Sequence, residues 1–207
     1  MSTRAKIKYF FIFALLNFVT YFLIQAFITT HKFDFMTSLD SAIPFIPEFI
    51  WIYHSLIPVI AGTMILLLQK REIFFTALSA FMLATLILSF LYIAFPSFYP
   101  RPPLSDIVST SSWLVEITRA LDSANNTFPS SHVTFSWILA FVAYTSIIAR
   151  QYRWLKVAYV IWALFISIST LVLKQHYFVD VVSGVALASL CYVIAKKFIF
   201  QRRLKTI

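Results

Sequence analysis

The chain is poor in charge and has almost no cysteine. Only 12% of its 207 residues are charged while 60% are hydrophobic, a balance that excludes an ordinary water-soluble fold. The single cysteine, Cys191, lies inside an apolar run, which excludes a disulfide framework and a cysteine-based metal site. The sequence contains no internal repeat and no sign of a second domain. We therefore expect one membrane domain over residues 1–207.

Six stretches are long and apolar enough to cross a bilayer as helices, for which about 20 residues are needed. They cover residues 9–29, 50–69, 73–95, 132–149, 154–173 and 177–198. The first is too long for the apolar core of a signal peptide, and no A-x-A-like cleavage site follows it. The pattern predicts a retained first helix and an all-α membrane protein with six transmembrane helices.

Lysine and arginine are distributed unevenly around these runs. One side has 13 of them, and the other has four, namely Lys32, Arg101, Arg119 and Lys174. The richer side includes both termini, so the positive-inside rule predicts that both are cytoplasmic. Because most basic residues flank apolar runs, the net charge of +9 reflects topology, and we expect no nucleic-acid partner.

Two outer segments are long. Residues 30–48 contain Pro44 and Pro47, which are too close together for an uninterrupted helix. Residues 96–131 form an outer loop in which Trp113, Ile117 and Leu121 recur at helical spacing. This spacing predicts a short helix that lies in the membrane interface or, alternatively, covers the bundle.

Three polar motifs adjoin the predicted outer helix ends. They are YPRPP (99–103), FPSSH (128–132) and KQHYFVDVV (174–182). Because the topology brings them to one membrane face, we expect an active site at the outer ends of helices 3 to 6. A non-catalytic transporter is the alternative from another class, but transporters place polar residues or broken helices near the bilayer midplane.

His176 and Asp180 are four residues apart and therefore share one face of a helix. A carboxylate that accepts a hydrogen bond from one imidazole nitrogen fixes the tautomer and leaves the other nitrogen available as a nucleophile or base. The same spacing also suits a pair that merely caps a helix start.

The FPSSH motif predicts a helix start with Ser130 or Ser131 as its N-cap and His132 in the first turn. Free backbone N–H groups there bind anions, and a histidine can protonate a leaving oxygen. An ordinary cap with a surface histidine is the alternative. Arg101 and Lys174 could each bind a phosphate or extend to lipid headgroups.

The succession PRP, PSSH and STLVLKQHYFVD resembles the type 2 phosphatidic acid phosphatase superfamily over roughly residues 40–190. The superfamily motifs are Lys-x6-Arg-Pro, Pro-Ser-Gly-His and Ser-Arg-x5-His-x3-Asp. The resemblance implies a metal-independent lipid phosphatase without a cofactor, and the chain has no Asp/Glu cluster suited to a metal. It implies that His176 is the nucleophile that forms a phosphohistidine, that Asp180 orients it, and that His132 is the acid. Arg101, Ser130 and Ser131 would hold the phosphate.

The chain departs from this pattern at three positions. Ala94 replaces the expected lysine, Ser131 the glycine and Thr170 the arginine, while Lys174 is the nearest remaining cation to His176. A site with few cations favours phosphodiesters. The sequence KQHYFVD is also similar to the branch of inositol phosphorylceramide and sphingomyelin synthases, so a lipid phosphotransferase is the alternative to hydrolysis.

The resemblance further implies a phospholipid, isoprenoid phosphate or sphingolipid substrate at the outer leaflet. It places the protein in a bacterial inner membrane with the site facing the periplasm or exterior. No oligomeric state is predicted.

Overall fold

The described part of the chain is built from helices. The computed structural model describes residues 1–28, 33–104, 109–146 and 151–204, with side chains described as far as residue 199. Its α-helices are α1 (Thr3–Phe27), α2 (Ser38–Ala42), α3 (Ile50–His54), α4 (Leu56–Gly62), α5 (Arg71–Ala94), α6 (Thr110–Leu121), α7 (Ser131–Thr145), α8 (Arg153–Val172) and α9 (Phe178–Leu204). These residues contain no strand, only two isolated bridges, so the all-α prediction is confirmed.

Five described segments are long and apolar enough to cross a membrane. They are α1, the segment Pro47–Leu67, α5, α8 and the segment Phe178–Ile199. The predicted span 132–149 corresponds to α7, whose helix has 15 residues, and the last positions of that span lie outside the described residues. Several apolar helices indicate a multi-pass membrane protein, while the sixth span stays a prediction.

The second span differs from the regular helix predicted for residues 50–69. It consists of a 3-10 turn (Pro47–Phe49), α3, α4 and a π-helical turn (Thr63–Leu67). Pro58 has no N–H to donate to the carbonyl of His54, and its ring crowds that carbonyl, so the helix breaks at Ser55. Trp162 of α8 donates its indole N–H to the Ser55 hydroxyl at 2.9 Å, which holds the interruption in place.

The apolar core lies where α5, α7 and α9 meet. Phe81, Ala84, Leu139, Ala188 and Cys191 are all buried there. α8 packs on α7, and α1 packs on α5. The three helices α5, α7 and α9 therefore form the centre of the bundle.

A close helix crossing sets the relative position of α7 and α9. A Cβ added to Gly184 would lie 3.0 Å from the Ser130 carbonyl oxygen and 3.1 Å from the Val133 Cβ, so only glycine fits without a shift. The Ser130 N–H also donates to the Asp180 carbonyl at 3.1 Å. These contacts bring the first turns of the two helices together.

Residues 96–131, which we predict to be an outer loop, contain the helix α6. Val115 and Thr118 are buried residues of this helix, and Thr118 lies 2.9 Å from His54 of α3 through Oγ1 and Nε2. Trp113 and Leu121 are 54% and 68% exposed. The helix therefore contacts α3 with one face and exposes Trp113 and Leu121 of the predicted apolar stripe, while Ile117 is half-buried. Contact with the membrane interface stays a prediction.

Candidate active site

His176 lies in the tight turn between α8 and α9. Lys174 has a φ of 56°, in the left-handed region that residues with a Cβ uncommonly adopt. The N–H groups of Gln175 and His176 both donate to the carbonyl of Thr170, at 3.0 and 3.2 Å. This bonding closes the end of α8 and places His176 directly before α9.

The predicted pairing of His176 with Asp180 is present. His176 Nδ1 lies 2.9 Å from the carbonyl oxygen of Thr127 and 3.3 Å from Asp180 Oδ2, and both side chains are buried. A carbonyl oxygen can only accept a hydrogen bond, so Nδ1 must carry the proton. The neutral ring therefore has its lone pair on Nε2, which is the tautomer that a nucleophile at Nε2 requires.

His132 lies in the first turn of α7, as predicted. Ser130 is the N-cap, and its hydroxyl accepts a hydrogen bond from the N–H of Val133. The His132 ring stacks on Tyr53 with 4.0 Å between ring centroids, and its centroid is 6.3 Å from that of His176. Two histidines from separate motifs thus lie at the same end of the bundle.

The two serines of FPSSH have different surroundings. Ser130 is buried, whereas Ser131 borders a cavity of about 30 Å³ that Tyr21 of α1 and Tyr92 of α5 also line. The N–H groups of Ser131 and His132 belong to the first turn of α7, where no intrahelical acceptor is available. N–H groups at the start of a helix favour the binding of an anion.

Arg101 is positioned by the turn that follows α6. Its Nη1 donates to the carbonyl of Asp122 at 2.5 Å and its Nη2 donates to that of Ser123 at 3.1 Å. Nη2 also lies 3.9 Å from Asp122 Oδ2. Burial raises the pKa of the Asp122 carboxyl, although a hydrogen bond from Tyr21 and the charge of Arg101 oppose this effect.

Lys174 is held by a residue that the sequence analysis did not single out. Its Nζ donates to the carbonyl of Asp40 at 2.7 Å, and the Asp40 carboxylate accepts from the N–H of Phe178 at 2.7 Å. Asp40 therefore forms hydrogen bonds with one residue on each side of His176, namely Lys174 and Phe178. Burial lowers the pKa of the Lys174 amine, and the charge of Asp40 opposes this effect. The spacing Thr37-x-x-Asp40, typical of a capping box, was the signal that could have drawn attention to Asp40.

Buried polar atoms without a hydrogen-bond partner are concentrated at this end of the bundle. Among the described residues there are nine such side-chain atoms, and eight belong to Arg101, Arg119, Ser123, Asn126, His132, Gln175 and Asp180. Buried polar groups normally have partners, so their concentration is typical of a ligand site. Four of the eight are nitrogen donors of Arg101, Arg119, Asn126 and Gln175, which complement a ligand rich in acceptor oxygens.

Comparison with models of known protein families assigns the chain to a superfamily. The family model described as the PAP2 superfamily matches residues 33–194, which is most of the chain. The protein therefore belongs to the PAP2 superfamily, whose members are typically catalytic phosphatases or phosphotransferases. The resemblance seen in the motifs is thereby confirmed.

Individual relatives agree with this assignment. Seventy residues are 37% identical to the inositol phosphorylceramide synthase catalytic subunit aur1 of Schizosaccharomyces pombe, covering 34% of this chain and 15% of that protein. The chain thus matches a small part of the length of that relative. The crystal structure of Aquifex aeolicus LpxE has the same fold, with a TM-score of 0.52 and 20% identity over 88% of this chain and 95% of that one.

Proposed function

We propose that this protein is a membrane lipid phosphatase that hydrolyses a lipid phosphate ester through a phosphohistidine on His176. The main support is the bonding of His176 Nδ1 to the Thr127 carbonyl and Asp180, which leaves the lone pair on Nε2. The second histidine, His132, has its ring centroid 6.3 Å from that of His176. The reaction needs one group that attacks the phosphorus atom and a second that protonates the departing oxygen, and the two histidines supply them.

In the first step, His176 Nε2 attacks the phosphorus and the bond to the lipid oxygen breaks. His132 donates its proton to that leaving oxygen, so a lipid alcohol is released and a phosphohistidine forms. In the second step, a water molecule attacks the phosphorus, His132 takes up the water proton, and the phosphorus–nitrogen bond breaks. Asp180 stabilises the positive charge that His176 acquires while it is bonded to phosphorus.

The phosphate itself would be held by groups around the two histidines. Arg101 offers a guanidinium, and the first turn of α7 offers the N–H groups of Ser131 and His132 at the positive end of the helix dipole. Ser130 caps that turn. Lys174, already bonded to the Asp40 carbonyl, has two further N–H donors for a phosphoryl oxygen.

Transfer to a second lipid is the other candidate function, which the 37% identity to the inositol phosphorylceramide synthase subunit favours. The chemistry would differ only in the acceptor. A lipid hydroxyl would take the place of water in the second step, and His132 would remove its proton.

Purified protein in lipid vesicles distinguishes these candidates. We expect radiolabelled phosphatidic acid to yield free inorganic phosphate, and a rapid alkaline quench to preserve an acid-labile label on His176. A labelled new phospholipid instead of free phosphate would favour the transferase. If neither product forms from monoester or diester lipids, that result would contradict both a phosphatase and a phosphotransferase and would favour the transporter alternative.

We further propose that the site opens to the outer leaflet of a bacterial inner membrane, because the positive-inside rule places both termini in the cytoplasm. Cysteines placed at the exposed positions Pro103 and Lys70 test this orientation, since the native Cys191 is buried. An impermeant thiol reagent should label Pro103→Cys in intact cells and leave Lys70→Cys unlabelled. The reverse pattern would place the site on the cytoplasmic side.

A further inference from the structure

Arg119, in the last turn of α6, is a cation outside all three motifs. Its Nη1 donates to the carbonyl of Pro102 at 2.8 Å and its Nη2 to that of Leu173 at 3.4 Å. Pro102 directly follows Arg101, and Leu173 directly precedes Lys174. The guanidinium of Arg119 therefore lies between the two segments that supply the motif cations.

Arg119 has no carboxylate partner among the described residues. Asp122 pairs with Arg101 and Asp180 with His176, whereas Arg119 contacts neutral carbonyls and lies over the Phe45 ring at 5.3 Å. Its Nε is buried without a hydrogen-bond partner. The tertiary structure thus holds an arginine charge at the site without neutralising it.

The electrostatics of the two arginines support the presence of an anion between them. Burial and the charge of Arg101 lower the pKa of Arg119 to about 10, so it stays protonated at neutral pH. Two positive guanidinium groups that repel each other in a partly buried place are stabilised when an anion binds to both.

We propose that Arg119 binds the phosphoryl group of the substrate together with Arg101. This inference rests on the proposed function and names a residue of the same site. Arg119 would restore one of the two cations lost where Ala94 and Thr170 replace the lysine and arginine of the superfamily motifs. Its planar fork suits phosphate, because two N–H groups can donate to two oxygens at once.

The test compares Arg119→Gln and Arg119→Lys with a matched control, Arg71→Gln. Arg71 begins α5, and its guanidinium also lies over a phenylalanine ring, that of Phe75, at 5.6 Å. The control therefore removes the same charge and the same type of aromatic contact, but at a position remote from the histidines. Each full-length variant is purified in detergent and titrated with inorganic phosphate, with thermal stability as the readout, since a ligand that binds the native state stabilises it.

For Arg119→Gln we expect the phosphate concentration giving half-maximal stabilisation to rise at least about tenfold, because charged hydrogen bonds are lost. Arg119→Lys should show a smaller increase, because the charge remains while the fork is lost. Arg71→Gln should stay within about twofold of the wild type, because exposed distant charges are screened. The Michaelis constant for a phosphate ester should follow the same order.

A purely structural role for Arg119 predicts a different result. Loss of its bonds to Pro102 and Leu173 would lower the melting temperature without phosphate while leaving the phosphate dependence unchanged, and that outcome would overturn the inference. A wild-type chain that phosphate does not stabilise would also overturn it. If Arg119→Gln does not fold, an unchanged phosphate dependence in Arg119→Lys decides against the proposal and a weakened one decides for it.

Phosphate binding is measured separately from turnover, so the two proposals fail separately. A wild type that hydrolyses no ester contradicts the proposed function. A phosphate titration that nevertheless depends on Arg119 would still support the binding site.

Discussion

The apolar core and the histidine end of the bundle, which carries His132 and His176, use polar groups in opposite ways. In the core, hydroxyl groups donate to carbonyls of their own helices, as Ser136 does to Val133 and Ser167 does to Ala163, both at 2.9 Å. At the histidine end, buried nitrogen atoms of Arg101 and Gln175 have no such partner among the described residues. The core thus uses its hydrogen-bonding capacity internally, while the histidine end keeps donors available, as a preorganised site requires.

The largest effect is expected when the proposed nucleophile is removed. His176→Ala should reduce hydrolysis of every phosphate ester to background, because no substrate can bypass the attacking group. The acid-labile label should disappear as well, as measured by rapid quench. A core substitution is the control: Leu139→Ala should lower the free energy of unfolding by about 2–5 kcal/mol and leave labelling intact in the folded fraction. Label retained in His176→Ala would place the nucleophile elsewhere, with His132 the first residue to examine.

The second histidine should matter in proportion to the basicity of the leaving group. His132→Ala should lose roughly 10²–10⁴-fold on a lipid ester, whose alkoxide needs a proton. It should keep much more of its activity on a nitrophenyl ester, because nitrophenolate leaves without help, and it should still accumulate label on His176. Equal losses for His132→Ala and His176→Ala on both esters would show that the assigned roles are wrong.

Lys174→Met tests whether this lysine, which is bonded to the Asp40 carbonyl, also binds the substrate phosphate. We expect kcat/KM to fall at least about tenfold, the range for a charge-assisted hydrogen bond. Lys156→Met is the matched control, because that lysine lies over the Tyr144 ring at 4.7 Å, away from the histidines. Unchanged kinetics in Lys174→Met would limit Lys174 to its bond with Asp40.

The smallest effect should come from the two glycines. Gly184→Ala forces a Cβ against Ser130 and Val133, so it should destabilise the fold by about 1–3 kcal/mol, measured by thermal unfolding. Gly62→Ala has nothing within 4 Å of the new Cβ, and the better helix propensity of alanine should make it neutral or more stable by up to about 1 kcal/mol. Equal stability of the two variants would contradict the close crossing of α7 and α9.

Prediction from the sequence worked well for long apolar helices. The helices α5 and α8 begin and end within two residues of the predicted spans 73–95 and 154–173. Their boundaries follow from length and hydropathy, which are properties of a local window. The break at Ser55 was also readable from Pro58 but was missed, because the apolar run continues through it.

The candidate site was predictable in part. The motifs identified His132, His176 and Asp180 because each side chain has a distinctive chemistry at a distinctive spacing. Arg119 was used only as a topology signal, since its proposed role depends on which carbonyls α6 brings to it. Asp40 contacts residues more than 130 positions away in the chain, and no local pattern encodes such a contact.

The sequence by itself determined a helical, multi-pass membrane protein with a histidine–aspartate pair at the start of a helix, because hydropathy and i,i+4 spacing are local properties. Only the tertiary structure decided which imidazole nitrogen carries the proton. That choice depends on the Thr127 carbonyl, 49 positions from His176 in the chain, and every residue has such a carbonyl whatever its side chain. Packing of α7 against α9 at Gly184 helps bring that carbonyl within hydrogen-bonding distance. A contact between distant segments cannot be predicted from the sequence of either segment alone.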